Sequence, residues 1–171
     1  FYTRRGRAYR LKGYEIPEGS KTSKGMNIVN ILPLESGEKV SAMIRVPEDD
    51  EGLYLCMATR KGLIKRSSLD LYRNIRRNGV IAVNLREDDE LAWVKLTSGN
   101  DDLLIATKKG MCIRFNENDA RPLGRTATGV KAITLKDGDE VVGMAVINET
   151  GKVLTVSEKG FGRRSDPDNY R

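Results

Sequence analysis

Four basic turns recur along the chain, and their side chains are of the types that bind phosphate. Each turn reads Thr or Ser, any residue, Arg or Lys, and Gly, at residues 3–6, 59–62, 107–110 and 157–160. An arginine follows each glycine by four residues, at Arg10, Arg66, Arg114 and Arg164. Guanidinium and ammonium groups form charge-assisted hydrogen bonds with phosphates. The spacing therefore predicts a repeated surface that binds a polyanion.

The composition argues against other kinds of chemistry. The 171-residue sequence has no His and only two cysteines, Cys56 and Cys112, so it predicts no His-based catalytic triad and no metal site. No nucleophile–base pair or paired carboxylates stand out, and the acidic residues 49–51 fit the tip of a hairpin. We expect no enzyme activity in this chain on its own, no cofactor and no small-molecule substrate.

The sequence also bears on cellular location. No apolar run approaches the roughly 18 residues of a membrane span, and no signal peptide precedes the first strand-like residues. We expect a reduced, cytoplasmic protein with no membrane partner. The chain starts at Phe1, and we interpret it as part of a larger protein.

A second landmark lies between the basic turns. A glycine followed by a strand-like apolar pattern occupies residues 25–31, 79–85 and 129–135, and an acidic turn follows at 37–40, 89–91 and 139–141. The glycines of the basic turns are 56, 48 and 50 residues apart, a period typical of propeller blades. We expect approximate units 1–56, 57–104 and 105–154, with a truncated unit at 155–171.

Each unit predicts four short strands bounded by turn residues. In the third unit they are expected at 129–135, 140–148, 152–157 and 160–164, and the longer connecting segments at 11–24, 67–78 and 115–128. No segment has a convincing helical pattern. The predicted fold class is all-β, a propeller-like partial array of about three to four four-stranded blades, with residues 1–171 in one domain.

The net charge of +6 conceals a segregation of charge. The half-units that hold the basic turn and the long segment sum to +15, and the remaining half-units sum to −9. Because equivalent positions in an array fall on one continuous surface, we expect a basic stripe along one edge, with the acids gathered elsewhere. Such a stripe is typical of proteins that bind nucleic-acid phosphates. The absence of a recognition helix predicts weak sequence specificity.

The candidate DNA-binding residues are the bases of these half-units. They are Arg4, Arg5, Arg7, Arg10, Lys12, Lys21, Lys24, Arg60, Lys61, Lys65, Arg66, Arg73, Arg76, Arg77, Lys108, Lys109, Arg114, Arg121, Arg125, Lys159, Arg163 and Arg164. For the arginine four residues after each glycine, two roles stay open: contact with DNA, or pairing with acids and carbonyls between blades. We expect Cys56, Cys112 and Trp93 to be core residues.

The sequence resembles the C-terminal domain family of the DNA gyrase A subunit. Residues 5–12, 25–34, 57–62, 96–99 and 128–130 carry the resemblance. It implies a β-pinwheel, whose blades exchange strands, and a non-catalytic domain that bends and wraps duplex DNA around a basic rim. The implied partners are duplex DNA, the rest of the A subunit and the gyrase B subunit in an A2B2 holoenzyme. That holoenzyme would carry out ATP-dependent negative supercoiling at the bacterial nucleoid.

One motif of that family is missing from the sequence. The Gln-Arg-Arg-Gly-Gly-Lys-Gly box of the first blade is not present, so we expect the chain to begin after that blade. The matching segments here are 20–25, 74–79 and 123–129, and Arg76 and Arg77 make the middle one the most box-like. DNA binding is predicted for this chain rather than complete wrapping. The alternatives are the related domain of topoisomerase IV and a propeller scaffold that binds an acidic protein.

Overall fold

The computed structural model describes residues 1–148 and 150–170, and these residues form thirteen β-strands and no α-helix. The strands are β1 (Tyr2–Thr3), β2 (Arg7–Ala8), β3 (Val40–Ala42), β4 (Tyr54–Thr59), β5 (Leu63–Ser68), β6 (Val80–Ile81), β7 (Leu91–Thr97), β8 (Asp102–Thr107), β9 (Cys112–Asn116), β10 (Val130–Lys131), β11 (Val141–Ile147), β12 (Val153–Val156) and β13 (Gly162–Ser165). Single 3-10 turns occupy Gly13–Glu15, Ile28–Asn30, Leu69–Tyr72, Glu117–Asp119 and Pro167–Asn169. The predicted all-β class is confirmed.

The strands form four antiparallel sheets, and the outer strand of the first two sheets comes from the following unit. The sheet orders are β3-β1-β2-β6, β10-β5-β4-β7, β11-β8-β9 and β12-β13. Thus β6 crosses back to pair with β2, and β10 crosses back to pair with β5. This exchange is the pinwheel arrangement that the resemblance implied, and it makes each unit depend on its neighbour.

Strand β10 is shorter than the predicted strand at 129–135, for a reason visible in its hydrogen bonds. The N–H groups of Ala132 and Ile133 both donate to the carbonyl of Gly62, at 2.9 and 3.3 Å, instead of continuing the ladder along β5. Ala82 and Val83 make the same paired contact with the carbonyl of Gly6. In the first two basic turns, the glycine is therefore the point where the next unit is attached.

The predicted unit limits fall inside strands. Positions 56/57, 104/105 and 154/155 lie within β4, β8 and β12, because the predicted units begin near the basic turn, which lies in the middle of a hairpin. Each sheet instead keeps both strands of the hairpin together. The period of the repeat is unaffected by this correction, but the unit limits belong before β4, β8 and β12.

The sheets pack face to face with a hydrophobic core between neighbours. Leu55 and Met57 of β4 belong to the core shared with the first sheet, whereas Cys56 and Ala58 belong to the core shared with the third. This alternation follows from the two-residue period of a strand whose two faces are both covered. Trp93 packs against the second core as expected, while Cys112 is only partly buried.

The repeated Thr or Ser holds the basic turn closed. The side-chain oxygen of Thr59 accepts from the N–H of Leu63 at 3.1 Å, and Thr107 accepts from Met111 at 3.2 Å. Thr3 and Ser157 make the equivalent contacts with Arg7 and Phe161. The sequence pattern singled out the bases of this motif, but its hydroxyl has a structural function in all four copies.

We expect Gly62→Ala to destabilise the fold more than Gly110→Ala does. Both glycines have positive φ, 86° and 82°, but a Cβ at residue 62 would lie 2.8 Å from the carbonyl oxygen of Ile133, whereas residue 110 has no atom within 4 Å. The left-handed conformation costs an L-residue about 1–2 kcal/mol at either site, and the clash adds about 1–3 kcal/mol at residue 62. Urea unfolding of both variants measures the difference, and equal midpoints would contradict the proposed role of Gly62 as an attachment point.

Candidate nucleic-acid interface

Most of the predicted DNA-binding residues lie on the surface. Exposed members are Arg5, Arg10, Lys12, Lys21, Lys24, Lys61, Arg73, Arg76, Arg77, Lys108, Lys109, Arg121, Lys159, Arg163 and Arg164. Arg4, Arg7, Arg60, Arg114 and Arg125 are partly buried. Exposure permits contact with DNA but does not distinguish a contact residue from an ordinary surface base, so these assignments stay predictions.

Two of the predicted contact residues are interior, and for them the prediction is wrong. Lys65 is 1% exposed and Arg66 is 4% exposed. Both lie on β5, which is covered on one side by β4 and on the other by the exchanged strand β10. The sequence showed them as part of a basic run, but the exchange of β10 buries the strand that carries them.

The arginine four residues after each glycine connects its unit to the next one. Arg10 donates to the carbonyl of Arg73 at 2.8 Å, at the end of the 3-10 turn Leu69–Tyr72. Arg66 contacts Glu117 in the next 3-10 turn, and Arg114 contacts Asp168 in the one after it, at 3.2 Å. Three members of the series thus reach an equivalent turn of the following unit. Of the two roles left open by the sequence, the structure supports pairing between blades.

The Arg66 contact is the most buried of the three. Its Nε lies 3.0 Å from Oε2 of Glu117, whose side chain is fully buried, and its guanidinium stacks over the ring of Tyr54 at 4.0 Å. Further guanidinium N–H groups donate to Asn118 Oδ1 and to the carbonyl of Gly99, at 2.9 and 3.2 Å. The charge is therefore compensated inside the protein rather than offered to a ligand.

Glu117 accepts additional hydrogen bonds that fix its position. Its carboxylate accepts from the hydroxyl of Thr97 and from the backbone N–H groups of Gly99 and Asp101, each at 2.8 Å. The nearby thiol of Cys56 is buried, and this burial raises its pKa to about 11. A thiol in that state is not a nucleophile at neutral pH, so Cys56 is a core residue, as expected.

The acidic turns lie against the basic turns, which corrects the expected separation of charges. Asp89 Oδ1 accepts from the backbone N–H of Lys61 at 3.0 Å, and Asp139 Oδ1 accepts from that of Lys109 at 2.9 Å. Arg5 pairs with Glu35 at 3.3 Å. Arg60 pairs with Glu90 at 2.8 Å and also lies 3.7 Å from Glu140. The two motifs are each other's partners, so the basic turns form a surface of mixed charge.

Some of the bases without a partner among the described residues lie in the loops before the exchanged strands, while others, such as Lys108 and Arg164, lie elsewhere. We call residues 73–78 and 121–125 the rim loops, because β6 and β10, which follow them, form the sheet edges opposite β3 and β7. The edge strand β7 of the second sheet contacts β3 and β11, which are edge strands of the first and third sheets. These three edges therefore lie together, and the opposite edges of the sheets, which include β6 and β10, point outward. In the part of the chain that the structure describes, no ion pair or side-chain hydrogen bond engages Arg76, Arg77 or Arg121.

Other bases of the rim loops hold the loops in place. Arg73 lies between two carboxylates, 2.8 Å from Asp50 and 2.6 Å from Asp70, and both raise its pKa, Asp70 the more strongly. Arg125 donates to the carbonyl of Ile81 at 2.6 Å. The arrangement offers guanidinium groups without a described partner on anchored loops that precede the exchanged strands of two successive units. Guanidinium groups form charge-assisted hydrogen bonds with phosphates.

The described residues contain neither a cluster of metal ligands nor a helix that could span a membrane. Within 1–148 and 150–170, no group of three or more His, Cys, Asp or Glu side chains could hold a metal ion. Over the same residues, no helix has the length and apolar character needed to cross a membrane.

Comparison with known proteins gives a consistent match over nearly the whole chain. The family model described as the DNA gyrase C-terminal domain, β-propeller, matches residues 2–47, 53–98 and 101–148. The DNA gyrase A subunits of Staphylococcus aureus strains NCTC 8325 and COL are each 52% identical over 174 residues, which cover 100% of this chain and 20% of the relative. The chain thus spans 20% of the length of these curated relatives.

Solved structures of two related domains have the same fold. The C-terminal domain of DNA topoisomerase IV is similar with a TM-score of 0.88 and 26% identity, over 99% of this chain and 53% of that one. The DNA gyrase A C-terminal domain is similar with a TM-score of 0.81 and 27% identity, over 99% of this chain and 54% of that one. The two structures agree with the strand-exchanged sheets described above.

Proposed function

Because this chain belongs to the DNA gyrase A C-terminal domain family, we propose that it is an accessory DNA-binding domain of a type IIA topoisomerase. In this proposal duplex DNA lies across the rim loops and bends along the curved edge of the array. The observation that carries the proposal is the set of arginines without a described partner, Arg76, Arg77 and Arg121, on the loops that precede the exchanged strands β6 and β10. Lys21 and Lys24 lie in the matching segment of the first unit and are also exposed.

The binding mode follows from the elements available. The described residues contain no α-helix that could enter a major groove, and the rim bases are arginines on short loops. Phosphate neutralisation supplies the affinity, and the curvature of the edge favours bent DNA. Smooth bending of a 20–30 bp site by 40–90° costs of order 1–6 kcal/mol, which several arginine–phosphate contacts offset. Sequence preference is therefore weak.

The larger assembly is part of the proposal. The chain would act with the rest of the gyrase A subunit and with the gyrase B subunit in an A2B2 holoenzyme, in the bacterial cytoplasm at the nucleoid. Its contribution to ATP-dependent negative supercoiling is to hold DNA, while strand cleavage and ATP hydrolysis take place elsewhere in the assembly. The 52% identity to gyrase A subunits supports gyrase rather than topoisomerase IV as that assembly.

Titration of the full chain with short duplex DNA at several salt concentrations tests the proposal. We expect the logarithm of the binding constant to fall linearly with the logarithm of salt concentration, with a slope of about −0.9 for each phosphate contacted. Random duplexes of equal length should bind within a few-fold of one another. A salt-independent affinity, a strong preference for one sequence, or tighter binding to an acidic peptide of equal charge would each contradict the proposal.

A further inference from the structure

Lys65 is a buried lysine whose ammonium group is bound by two chain segments from different units. Its Nζ contacts the hydroxyl of Tyr72 at 3.2 Å and donates to the carbonyls of Ala82 and Arg125. Tyr72 also donates to the carbonyl of Ala82, at 2.9 Å. Among the described residues, no carboxylate lies within ion-pairing distance of Lys65. The positive charge is therefore held by hydrogen bonds and by the ring of Tyr72, whose centroid lies 5.9 Å from Nζ.

The fold itself does not require a lysine at this place. The residue three positions after the glycine of the basic turn is Tyr9 in the first unit, Lys65 in the second and Ile113 in the third, and in the truncated fourth unit it is the exposed Arg163. Tyr9 is fully buried and Ile113 is partly buried, so uncharged side chains serve at the equivalent positions. A buried charge without a carboxylate partner is costly, which indicates a function other than stability.

The partners of Lys65 connect the two rim loops. Ala82 directly follows β6, the strand that comes after the first rim loop with Arg76 and Arg77. Arg125 lies in the second rim loop itself. The same two segments also touch above Lys65, where Arg125 donates to Ile81 and the N–H of Asn84 donates to Ala127 at 3.3 Å. Lys65 is thus a junction beneath both loops.

We propose that Lys65 is a positioning residue that fixes the two rim loops relative to each other, so that their arginines contact the same DNA duplex. This inference rests on the proposed function. Its ammonium group, bound to carbonyls of both segments, sets the separation between the Arg76–Arg77 pair and Arg121. Without this ammonium group each rim loop retains its own arginines, but the separation between the arginines of the two loops is no longer fixed.

The protonation of Lys65 gives the inference a specific readout. Burial, with a further contribution from the guanidinium of Arg125, lowers the pKa of Lys65 to about 8. The other titratable group that faces Nζ is Tyr72, whose pKa burial raises to about 12, so it stays neutral over the same range. Above pH 8 the lysine loses its charge, and its charge-assisted bonds to both carbonyls weaken.

The test compares Lys65→Met with Lys136→Met in the full chain, by DNA titration and thermal unfolding between pH 6.5 and 9.5. Lys136 is an exposed lysine shortly before the acidic turn at 139–141, so its variant controls for the loss of one charge. We expect Lys65→Met to weaken DNA binding about tenfold at pH 7, equivalent to one charge-assisted contact, with no decrease in Tm. Wild-type affinity should decline as the pH rises through 8, and the Lys65→Met affinity should not.

Two further variants separate the possible outcomes. Tyr72→Phe keeps the charge of Lys65 but removes a hydroxyl of the junction, and we expect a smaller loss of affinity with the pH dependence retained. If Arg76→Ala/Arg77→Ala weakens binding while Lys65→Met matches the Lys136→Met control, the positioning role is overturned and the DNA-binding function stands. If Arg76→Ala/Arg77→Ala has no effect, the rim loops are excluded as the binding site and the positioning role falls with them, whereas failure of the wild-type chain to bind duplex DNA would overturn the proposed function itself.

Discussion

Arg66→Ala is expected to lower the free energy of unfolding by about 3 kcal/mol, the low end of the range for breaking a buried ion pair. The variant leaves the fully buried carboxylate of Glu117 without its cation. The hydroxyl of Thr97 and two backbone N–H groups still donate to that carboxylate, and for this reason we place the effect at the low end. In a chain of this size the loss corresponds to a decrease in Tm of roughly 10 °C, measurable by circular dichroism.

Two companion variants identify the cause of that loss. Arg164→Ala changes the same position of the repeat, where the arginine is exposed, and we expect its Tm to stay within about 2 °C of wild type, as for most surface substitutions. Arg66→Ala/Glu117→Gln removes the buried charge together with its partner, and should recover part of the stability lost by Arg66→Ala alone. A wild-type Tm for Arg66→Ala would rule out the connection between units as a source of stability.

The repeat explains why so much of the fold was predictable from the sequence. The glycines of the basic turns and the acidic turns are local patterns with a nearly constant period, and each corresponds to a backbone requirement. Gly62, for example, needs a positive φ and a close approach to Ile133. Such requirements are visible in a single chain because the units repeat them. The strand-like pattern is a weaker guide, since the predicted strand at 25–31 is wrong and that segment contains the 3-10 turn Ile28–Asn30.

Interactions between units were harder to predict, because they depend on which surfaces meet. The sequence placed Arg66 and Lys65 in a basic run, yet the segment that leads into β10 of the next unit lies beside them, and both are buried. The two roles of the repeated arginine could be named but not decided until the 3-10 turn with Glu117 was located. A single signal could have helped: an acidic residue follows Arg66 and Arg114 at a similar distance, as Glu117 and Asp168.

The charge segregation shows the same limit. Counting along the chain separated bases from acids by half-unit, but the acidic turn of each unit folds back onto its basic turn. Asp89 on Lys61 and Asp139 on Lys109 are examples. Charge that is segregated in sequence is thus mixed in space at the turns, whereas Arg76, Arg77 and Arg121 of the rim loops have no acidic partner among the described residues. This distinction separates two sets of bases that the sequence treated as one.

Arg76→Ala/Arg77→Ala is expected to weaken binding to duplex DNA by roughly 10–100-fold at low salt, because two charge-assisted hydrogen bonds to phosphate are removed. The salt slope should decrease in magnitude by about 1 for each phosphate that the variant no longer neutralises. Both side chains are exposed, and no described residue pairs with either of them, so Tm should change little. Fluorescence anisotropy at three or more salt concentrations, together with thermal unfolding, measures both quantities.

Arg60→Ala/Lys61→Ala is the matched comparison, since it removes two bases from a basic turn instead of a rim loop. Arg60 is paired with Glu90, and the ammonium group of Lys61 donates to the carbonyl of Glu87 at 3.2 Å. Because these groups are already engaged within the protein, we expect a smaller change in DNA affinity and in salt slope than for the rim variant. Equal losses from both pairs would mean that DNA contacts the whole basic surface, and an unchanged affinity for Arg76→Ala/Arg77→Ala would exclude the rim loops as the binding site.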